Sequence, residues 1–345
     1  MAGQARSLVE ARKHFLEMSP GKLMGLRRVT DSNGRFKVLA CDQNNSFVRM
    51  ISEARGRQAR PEELVEAKSD ITEVLGEAAS AVLLDVVYGA RQALNSGALP
   101  RSAGLLIRLE ASKPAGSPGE VEPGWSVAQI KRFGADGVKL LVYLDTEDAP
   151  ATDSQIEFVR KIHDECQQED ILLLVEELSY PRKQAGEDKS SPSYLERQPS
   201  NAIESVKRLG PVCDVLKVEF PGHLPTMGRD RCRANLEQLD RAALRPWVLL
   251  SAGVDFDAFL PQVEMAMKAG ASGIMAGRAI FKEYFLPDTR EERLKFLKKT
   301  ARKRWERVCD LVDEYATPWQ DRLGITREDL ASQVVIGWYR ESSSR

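Results

Sequence analysis

The chain has 345 residues, of which 42% are hydrophobic and 29% are charged, a composition typical of a globular protein with an ample core. The formal net charge is -1 and Lys and Arg are scattered along the chain, so we expect neither a nucleic acid nor an anionic membrane as a partner. No stretch approaches the ~20 apolar residues of a membrane span. The five cysteines include no CxxC pair, which favours reduced thiols and a cytoplasmic location.

Eight short apolar runs recur along the chain and predict eight β-strands. The runs are continuous rather than alternating, as expected for parallel strands that are covered on both faces. They span residues 36–42, 81–86, 104–110, 137–144, 171–178, 215–220, 246–253 and 273–278.

Segments with helical spacing lie between most of these runs. We predict helices at about 60–80, 126–133, 153–168, 202–209, 230–239 and 257–268. Residues 181–199 are rich in Pro, Ser and Lys, which predicts a long loop. An N-terminal helix is predicted over 5–18, and charged helices are predicted from about 288 to 345.

Eight β/α units over roughly 250 residues predict a closed (β/α)8 barrel, the α/β fold called the TIM barrel. A doubly wound open sheet is the alternative, but it usually has fewer strands and a glycine-rich phosphate turn after the first. Here Asp42-Gln43-Asn44-Asn45 follows the first strand, and no GxGxxG occurs. We therefore expect one domain over residues 1–345, with the barrel at about 36–285.

The sixth predicted strand carries a lysine inside an apolar run, Val215-Leu216-Lys217-Val218. An ammonium group in a low-dielectric interior is costly unless it is paired or neutral. A desolvated lysine is also a nucleophile for carbonyl carbon and forms Schiff bases. Taken alone, the run favours a lysine at a strand end whose ammonium reaches water, and the rest of the chain reverses that preference.

Functional groups of a barrel come from the carboxyl ends of its strands. Those ends supply Asp42, Asp85, Glu110, Lys139, Glu176, Glu177, Lys217, Ser251, Gly253, Gly277 and Arg278. Each residue alone could belong to a structural ion pair, but two lysines and several carboxylates at one end form a reactive set. A second ammonium, that of Lys139, would disfavour the charged form of Lys217 and free its amine for attack.

Two glycine-containing segments end the last two strands, Ser251-Ala252-Gly253 and Ala276-Gly277-Arg278. Phosphate groups usually bind at this position in such barrels. Glycine lets backbone N–H groups approach an anion, and a guanidinium group matches phosphate oxygens. The sequence therefore predicts a phosphate site here, whereas no clustered Cys or His supports a metal site.

Eight ordered motifs at these strand ends carry a family resemblance over roughly residues 22–285. The chain resembles the class I tagatose-1,6-bisphosphate aldolases, a family that also includes the sulfofructose-phosphate aldolases. The motifs are Leu39-Ala40-Cys41-Asp42-Gln43, Leu83-Leu84-Asp85 with Tyr88-Gly89, Trp125-Ser126-Val127, Gly134-Ala135-Asp136-Gly137-Val138-Lys139, Glu176-Glu177-Leu178-Ser179-Tyr180, Asp214-Val215-Leu216-Lys217-Val218-Glu219, Leu250-Ser251-Ala252-Gly253-Val254 and Gly277-Arg278-Ala279.

The resemblance implies a Schiff-base aldolase that needs no metal or other cofactor. It implies that Lys217 is the Schiff-base lysine and Glu176 the acid/base, with Lys139 and Asp42 supporting carbinolamine chemistry. The expected partner is a phosphorylated sugar, with a homo-oligomer as an open possibility. The residues expected to hold the substrate, including its C1 phosphate, are Gln43, Ser251, Gly253, Gly277 and Arg278.

Two departures from the family pattern concern the distal end of the substrate. The first-strand loop of the family usually reads Asp-Gln-Arg-Gly, and Asn44-Asn45 replace the Arg-Gly here, which removes a cation. The loop at 181–199 looks elongated. Tagatose 1,6-bisphosphate is the first expectation, and sulfofructose 1-phosphate and fructose 1,6-bisphosphate are alternatives. A sugar-phosphate-binding regulatory barrel without catalysis is a second alternative, but binding alone would not need an amine beside an acid/base.

Overall fold

The computed structural model describes residues 2–331 and shows a closed barrel of eight parallel strands. Each strand pairs with the next one along the chain, and the last pairs with the first. The strands are β1 (Phe36–Cys41), β2 (Ala81–Leu84), β3 (Gly104–Arg108), β4 (Gly137–Tyr143), β5 (Leu172–Leu178), β6 (Val215–Val218), β7 (Trp247–Leu250) and β8 (Gly273–Ala276). All eight predicted strands are confirmed. Several end two or three residues early, because the last residues of the apolar runs leave the ladder to form loops.

Helices follow the strands and cover the outside of the barrel. They are α1 (Ala2–Leu16), α2 (Pro20–Val29), α3 (Asn45–Arg55), α4 (Pro61–Gly76), α5 (Ala90–Ser96), α6 (Val127–Phe133), α7 (Ala149–Gln168), α8 (Pro192–Leu209), α9 (Leu224–Ala242), α10 (Phe256–Lys268), α11 (Arg278–Phe281), α12 (Arg290–Phe296), α13 (Arg302–Tyr315), α14 (Trp319–Arg322) and α15 (Arg327–Ala331). None of the helices in residues 2–331 is long and apolar enough to cross a membrane.

The prediction of a loop over residues 181–199 is wrong in its second half, because α8 begins at Pro192. A proline is well tolerated in the first turn of a helix, where its missing N–H is not needed. The side chains of Tyr194, Gln198 and Ala202 recur every four residues and are buried. The polar composition thus hid an amphipathic helix, and the true loop spans 181–191, with one 3-10 turn at Lys183–Ala185.

Other helix boundaries also differ from the prediction. The N-terminal helix ends at Leu16 rather than at residue 18, and neither α2 nor α3 was predicted. The predicted C-terminal helices correspond to α12 to α15, with a π-helical turn at Leu297–Ala301. The last part of that prediction, residues 332–345, lies outside the described residues.

The lower half of the barrel interior is apolar. Its side chains belong to one buried cluster that includes Val38, Leu83, Leu106, Leu174, Val215, Val248 and Met275. Helix α2 closes this end with the buried side chains of Leu26 and Val29, which join the same cluster. The amino-terminal end of the barrel is therefore filled, and the open cavities that concern function lie at the carboxyl end, called the mouth below.

Asp214 joins the N-terminal helices to the amino-terminal end of the barrel, called the floor below. Its carboxylate accepts hydrogen bonds from Lys22 Nζ at 2.8 Å and from the backbone N–H of Leu173 at 2.8 Å. His14 Nε2 lies 3.1 Å from its other oxygen. Burial favours the neutral acid, but the contacts with His14 and Lys22 outweigh it and hold the pKa of Asp214 well below its usual range.

Candidate active site

Charged side chains replace the apolar layers at the upper end of the barrel interior. Side chains on one face of a strand recur at every second residue. The residue two positions after each apolar interior residue therefore also points into the barrel, closer to its mouth. The inner-face residues reached in this way are Arg108, Lys139, Glu176 and Lys217. The strand register pairs Arg108 directly with Lys139 and Glu176 directly with Lys217. The sheet itself therefore places these four side chains next to one another.

Lys217 and Glu176 form the contact at the centre of the mouth. Lys217 Nζ lies 2.8 Å from Glu176 Oε2, and the lysine is only 3% exposed. The same carboxylate oxygen lies 2.9 Å from Lys139 Nζ. One carboxylate oxygen thus bridges two buried lysines and can exchange a proton with either of them.

Lys139 is surrounded by three carboxylates. Its Nζ lies 3.1 Å from Asp42, 2.6 Å from Glu110 and 2.9 Å from Glu176, and the residue is 1% exposed. Burial lowers the pKa of Lys139, but the three carboxylates outweigh burial and raise it above its ordinary value. Lys139 is therefore held as an ammonium ion. The three carboxylates compensate its positive charge. The sequence instead predicted an uncompensated ammonium that disfavours the charged form of Lys217.

The pKa values of the carboxyl groups in the cluster shift in different directions. Burial raises the pKa of Asp42 and Glu176, but the neighbouring Lys139 and Lys217 outweigh burial and lower both values. Burial prevails at Glu110 and raises its pKa. Glu176 is consequently an ionised carboxylate, which can act as a proton acceptor.

Arg108 is a member of the cluster that the sequence analysis missed. Its Nη1 donates a 2.7 Å hydrogen bond to the backbone carbonyl of Asp42, and its Nε lies 3.9 Å from Glu110. The signal that was missed is the position of Arg108 in an apolar run, two residues before Glu110. Residues two apart lie on the same face of a strand. Arg108 supports the loop that carries Asp42 and adds positive charge to the cluster.

Ser251, Gly277 and Arg278 lie together beside Lys217. They line a small cavity of about 60 Å³ that Lys217 also reaches. The backbone N–H of Gly277 points to Ser251 Oγ at 3.5 Å, and burial lowers the pKa of the Arg278 guanidinium. Small side chains and a desolvated guanidinium suit an anion.

Gly253 lies behind Arg278 rather than on the cavity wall. Its φ of 79° falls in the left-handed region that favours glycine, and a Cβ at this position would lie 3.1 Å from Arg278 Cζ. A side chain here would push against the guanidinium. Gly253 therefore fixes where Arg278 can lie.

A larger cavity of about 320 Å³ adjoins the small one. The two share Gln43, Glu176, Leu178 and Arg278 as lining residues. The larger cavity is also lined by Asp42 and Lys139, so the residues predicted for catalysis or substrate binding, except Gly253, all line one of the two cavities. Its outer wall is formed by Asn45, Ser46, Arg49, Ser112, Lys113 and Ser117.

Asp85 and Glu177, which the sequence analysis collected as strand-end residues, line neither cavity. Asp85 is paired with the buried Lys68 and accepts a hydrogen bond from Asn44 Nδ2 at 3.2 Å. Glu177 is fully buried and accepts a 3.1 Å hydrogen bond from the backbone N–H of Glu219. Burial raises the pKa of Glu177 well above its ordinary value. Both carboxyl groups thus contact the structure around the mouth, not the space inside it.

The closed barrel with a lysine–carboxylate cluster at its mouth defines the class of the protein, an enzyme-type (β/α)8 barrel. A profile of the DeoC/LacD family aldolases matches residues 36–283, and the chain belongs to this family. No group of three side chains that could hold a metal ion is found within residues 2–331.

Curated relatives are similar over most of the chain. A tagatose 1,6-diphosphate aldolase of Streptococcus agalactiae is 29% identical over 322 residues, covering 86% of this chain and 97% of its own. A tagatose 1,6-diphosphate aldolase of Enterococcus faecalis is 29% identical over 339 residues, covering 92% and 96%. Among solved structures, a fructose-bisphosphate aldolase from Slackia heliotrinireducens covers 85% of this chain and 90% of its own, with 17% identity and a TM-score of 0.58. The last likeness shows the shared fold.

Proposed function

We propose that the protein is a class I aldolase that reversibly cleaves tagatose 1,6-bisphosphate to dihydroxyacetone phosphate and glyceraldehyde 3-phosphate, through a Schiff base on Lys217 and without a metal. Membership of an aldolase family and the names of the curated relatives support this reaction. The observation that carries it is the 2.8 Å contact between Lys217 Nζ and Glu176, whose carboxylate also binds Lys139. A buried amine beside an ionised carboxylate is what imine formation requires.

The first step joins Lys217 to C2 of the open-chain ketose. Glu176 takes a proton from the Lys217 ammonium, and the free amine adds to the C2 carbonyl. Glu176 returns this proton to the carbinolamine oxygen, then transfers a second proton from the carbinolamine nitrogen to the same oxygen, which leaves as water. The product is a cationic iminium, and the carboxylate of Glu176 is restored.

The second step breaks the C3–C4 bond. Glu176 accepts the proton of the C4 hydroxyl, the C3–C4 electron pair moves into the iminium, and the aldehyde leaves. Glu176 then gives that proton to C3 of the enamine, and water hydrolyses the iminium to release dihydroxyacetone phosphate. A positioned acid/base group typically contributes ~10²–10⁴ in rate. The ammonium of Lys139 favours the ionised form of Glu176 before it accepts the C4 hydroxyl proton.

We assign the two ends of the substrate to the two adjoining cavities. Ser251, Gly277 and Arg278 lie beside Lys217, where C1 and its phosphate would lie. Arg49 lies on the outer wall of the larger cavity, together with Lys113, which is ion-paired with Glu120, and the arginine suits an anionic group on C6. Phosphate and sulfonate both meet this description, so sulfofructose 1-phosphate and fructose 1,6-bisphosphate remain alternatives to tagatose 1,6-bisphosphate.

Borohydride trapping with dihydroxyacetone phosphate, followed by peptide mass mapping, tests the mechanism. We expect a stable adduct on Lys217 that is absent from the Lys217→Ala variant. An adduct on Lys139 would exchange the roles of the two lysines. No adduct on a folded protein that still binds phosphate would instead support a regulatory, non-catalytic barrel.

The substrate is tested by comparing kcat/KM for the ketose phosphates named above. We expect tagatose 1,6-bisphosphate to give the highest value. A higher value for the sulfonate substrate would assign the cations of the outer wall to a sulfonate group.

A further inference from the structure

The loop between β5 and α8 reaches the small cavity beside Lys217. We call residues 181–191 the strap. Lys189 of the strap lines this cavity together with Lys217, Ser251 and Arg278. The assignment of the C1 phosphate site from strand ends does not include Lys189, because it comes from a loop far from any glycine motif.

Ion pairs connect the start and the middle of the strap to the neighbouring structure. The guanidinium of Arg182 binds Asp145 through two hydrogen bonds of 2.6 and 2.8 Å. The backbone N–H of Arg182 donates to Glu187 at 2.9 Å, and Arg197 in α8 donates to the same carboxylate at 2.8 Å. Bidentate arginine–carboxylate contacts have a defined geometry. The strap therefore has a fixed path across the edge of the mouth.

A tight turn surrounds Lys189 itself. Asp188 accepts hydrogen bonds from the backbone N–H of Ser190 at 2.7 Å and from its hydroxyl at 2.6 Å. The backbone N–H of Asp188 donates to Ser191 Oγ at 2.9 Å. The carboxylate next to Lys189 is therefore engaged in the turn, and the turn sets the direction in which the lysine leaves the backbone.

The charge of Lys189 is available to a ligand. Among residues 2–331, no carboxylate lies within ion-pair distance of its ammonium, in contrast to Lys139 and Lys217. Glu219 lines the same cavity and interacts electrostatically with Lys189, which lowers the pKa of Glu219, but burial outweighs this and raises that pKa. The cavity thus has two cationic side chains, Lys189 and Arg278, besides the lysine proposed to react.

A phosphate monoester carries a charge of about −1.5 to −2 at pH 7, more than one guanidinium can balance. We propose that Lys189 is a second cationic ligand of the substrate's C1 phosphate, supplied by the strap to complement Arg278. The identity of the anion rests on the proposed function, whereas the presence of an anion site rests on the cavity and its charges.

Three variants test this assignment, namely Lys189→Gln, Lys189→Arg and, as a matched control, Lys183→Gln. Lys183 is an exposed lysine of the same strap that does not line the cavity. The measurements are the Kd for inorganic phosphate by calorimetry, and KM and kcat for the ketose bisphosphate. Borohydride trapping with dihydroxyacetone, which lacks the phosphate, provides a readout that does not involve the anion.

Lys189→Gln should raise the Kd for phosphate and the KM roughly tenfold, the scale of one hydrogen bond to a charged group, with kcat changed less than about threefold. Lys189→Arg should restore most of the affinity, and trapping with dihydroxyacetone should be unchanged. Phosphate affinity equal to that of the native protein in Lys189→Gln, or an equal loss in Lys183→Gln, would overturn the assignment.

The phosphate titration also separates this inference from the proposed reaction. If no ketose phosphate is cleaved but Lys189→Gln still weakens phosphate binding, the anion site stands and the aldolase function fails. If cleavage is found and phosphate binding does not depend on Lys189, the function stands and this inference fails.

Discussion

The two buried lysines of the mouth differ in the number of carboxylates that each one contacts. Lys139 has three within 3.1 Å, whereas Glu176 is the one carboxylate of residues 2–331 within ion-pair distance of Lys217. An ammonium that is bound by three carboxylates gives up its proton with difficulty. This difference supports the proposal that Lys217 is the nucleophile and that Lys139 acts as a fixed positive charge. The difference between the two roles thus arises from Asp42 and Glu110.

Replacement of Lys139 by methionine tests this division of roles. We expect kcat to fall at least about 100-fold, because Glu176 loses the cation that keeps it ionised. The free energy of unfolding should fall by about 3–5 kcal/mol, because buried carboxylates remain without a partner. The dihydroxyacetone phosphate adduct should still map to Lys217. Steady-state kinetics, urea unfolding and peptide mapping measure the three outcomes.

Lys22→Met is the matched control for Lys139→Met. Lys22 is equally buried and paired with Asp214, but it lies at the opposite end of the barrel. Lys22→Met should lower the free energy of unfolding by an amount similar to that of Lys139→Met, and it should leave kcat of the folded protein unchanged. The acid limb of the pH–rate profile adds a second readout. The lowered pKa of Glu176 should rise in Lys139→Met, and this limb should move to higher pH. A native kcat in Lys139→Met would contradict the assigned role.

The sequence predicted most residues of the charged cluster at the mouth, but it did not separate them from neighbouring residues that lie outside the cluster. Collecting strand ends found Lys217, Glu176 and Lys139, because charged residues in apolar runs are conspicuous. The same procedure included Glu177, which is adjacent to Glu176 and so cannot share its face of the strand. Counting in twos from the apolar interior would have separated these two residues and would have found Arg108. The ion pair that removes Asp85 from the mouth depends on Lys68, a helix residue whose position no local pattern gives.

At the scale of elements, the strands were predictable and several helices were not. A buried parallel strand is apolar throughout, so its sequence signal survives without knowledge of its neighbours. Helix α8 begins with polar residues because the barrel, the strap and α9 bury only part of its surface. Helix α2 is short and contains two glycine or proline residues in its first turn, which read as a turn signal. Tertiary packing decides the state of such segments.

The loop after β7 offers a test of the phosphate end. In Gly253→Ala, the new Cβ would meet the Arg278 guanidinium and would also strain the backbone at φ 79°. We expect KM for the ketose bisphosphate and the Kd for inorganic phosphate to rise roughly tenfold or more, through displacement of a charged hydrogen-bond donor. Calorimetry and steady-state kinetics provide the measurements.

Gly56→Ala controls for backbone strain alone. Gly56 has a φ of 60°, and no atom of the described part of the chain lies within 4 Å of the Cβ it would gain. Both substitutions should cost about 1–2 kcal/mol of stability through the left-handed conformation. Equal effects of the two on phosphate affinity would show that Gly253 does not act through Arg278.

At the scale of the whole molecule, Asp214 makes stability depend on pH. Its pKa is lowered in the folded state by His14 and Lys22. A lowered pKa stabilises the fold above the usual carboxyl pKa of ~3.9, and that contribution is lost as the pH falls below it. We expect Asp214→Asn to lower the free energy of unfolding by about 3–5 kcal/mol at pH 7. The difference from the native protein should shrink as the pH falls from about 5 toward 2.

Urea unfolding at several pH values measures this dependence. Asp230→Asn is the control, since Asp230 is an exposed helix residue that only approaches Arg233 at 3.4 Å. It should change stability by less than about 0.5 kcal/mol at every pH. A pH-independent difference between Asp214→Asn and the native protein would exclude titration of Asp214 as the cause.

The filled floor of the barrel has a consequence for how the molecule could change over generations. The contacts of α2, Asp214 and the apolar interior lie at one end, and the strap and the outer wall of the cavity lie at the other. Substitutions that alter the strap therefore do not remove contacts at the floor. Changes in the loops at the mouth could therefore alter which sugar phosphate is bound. The contacts at the floor would stay the same and keep each variant folded.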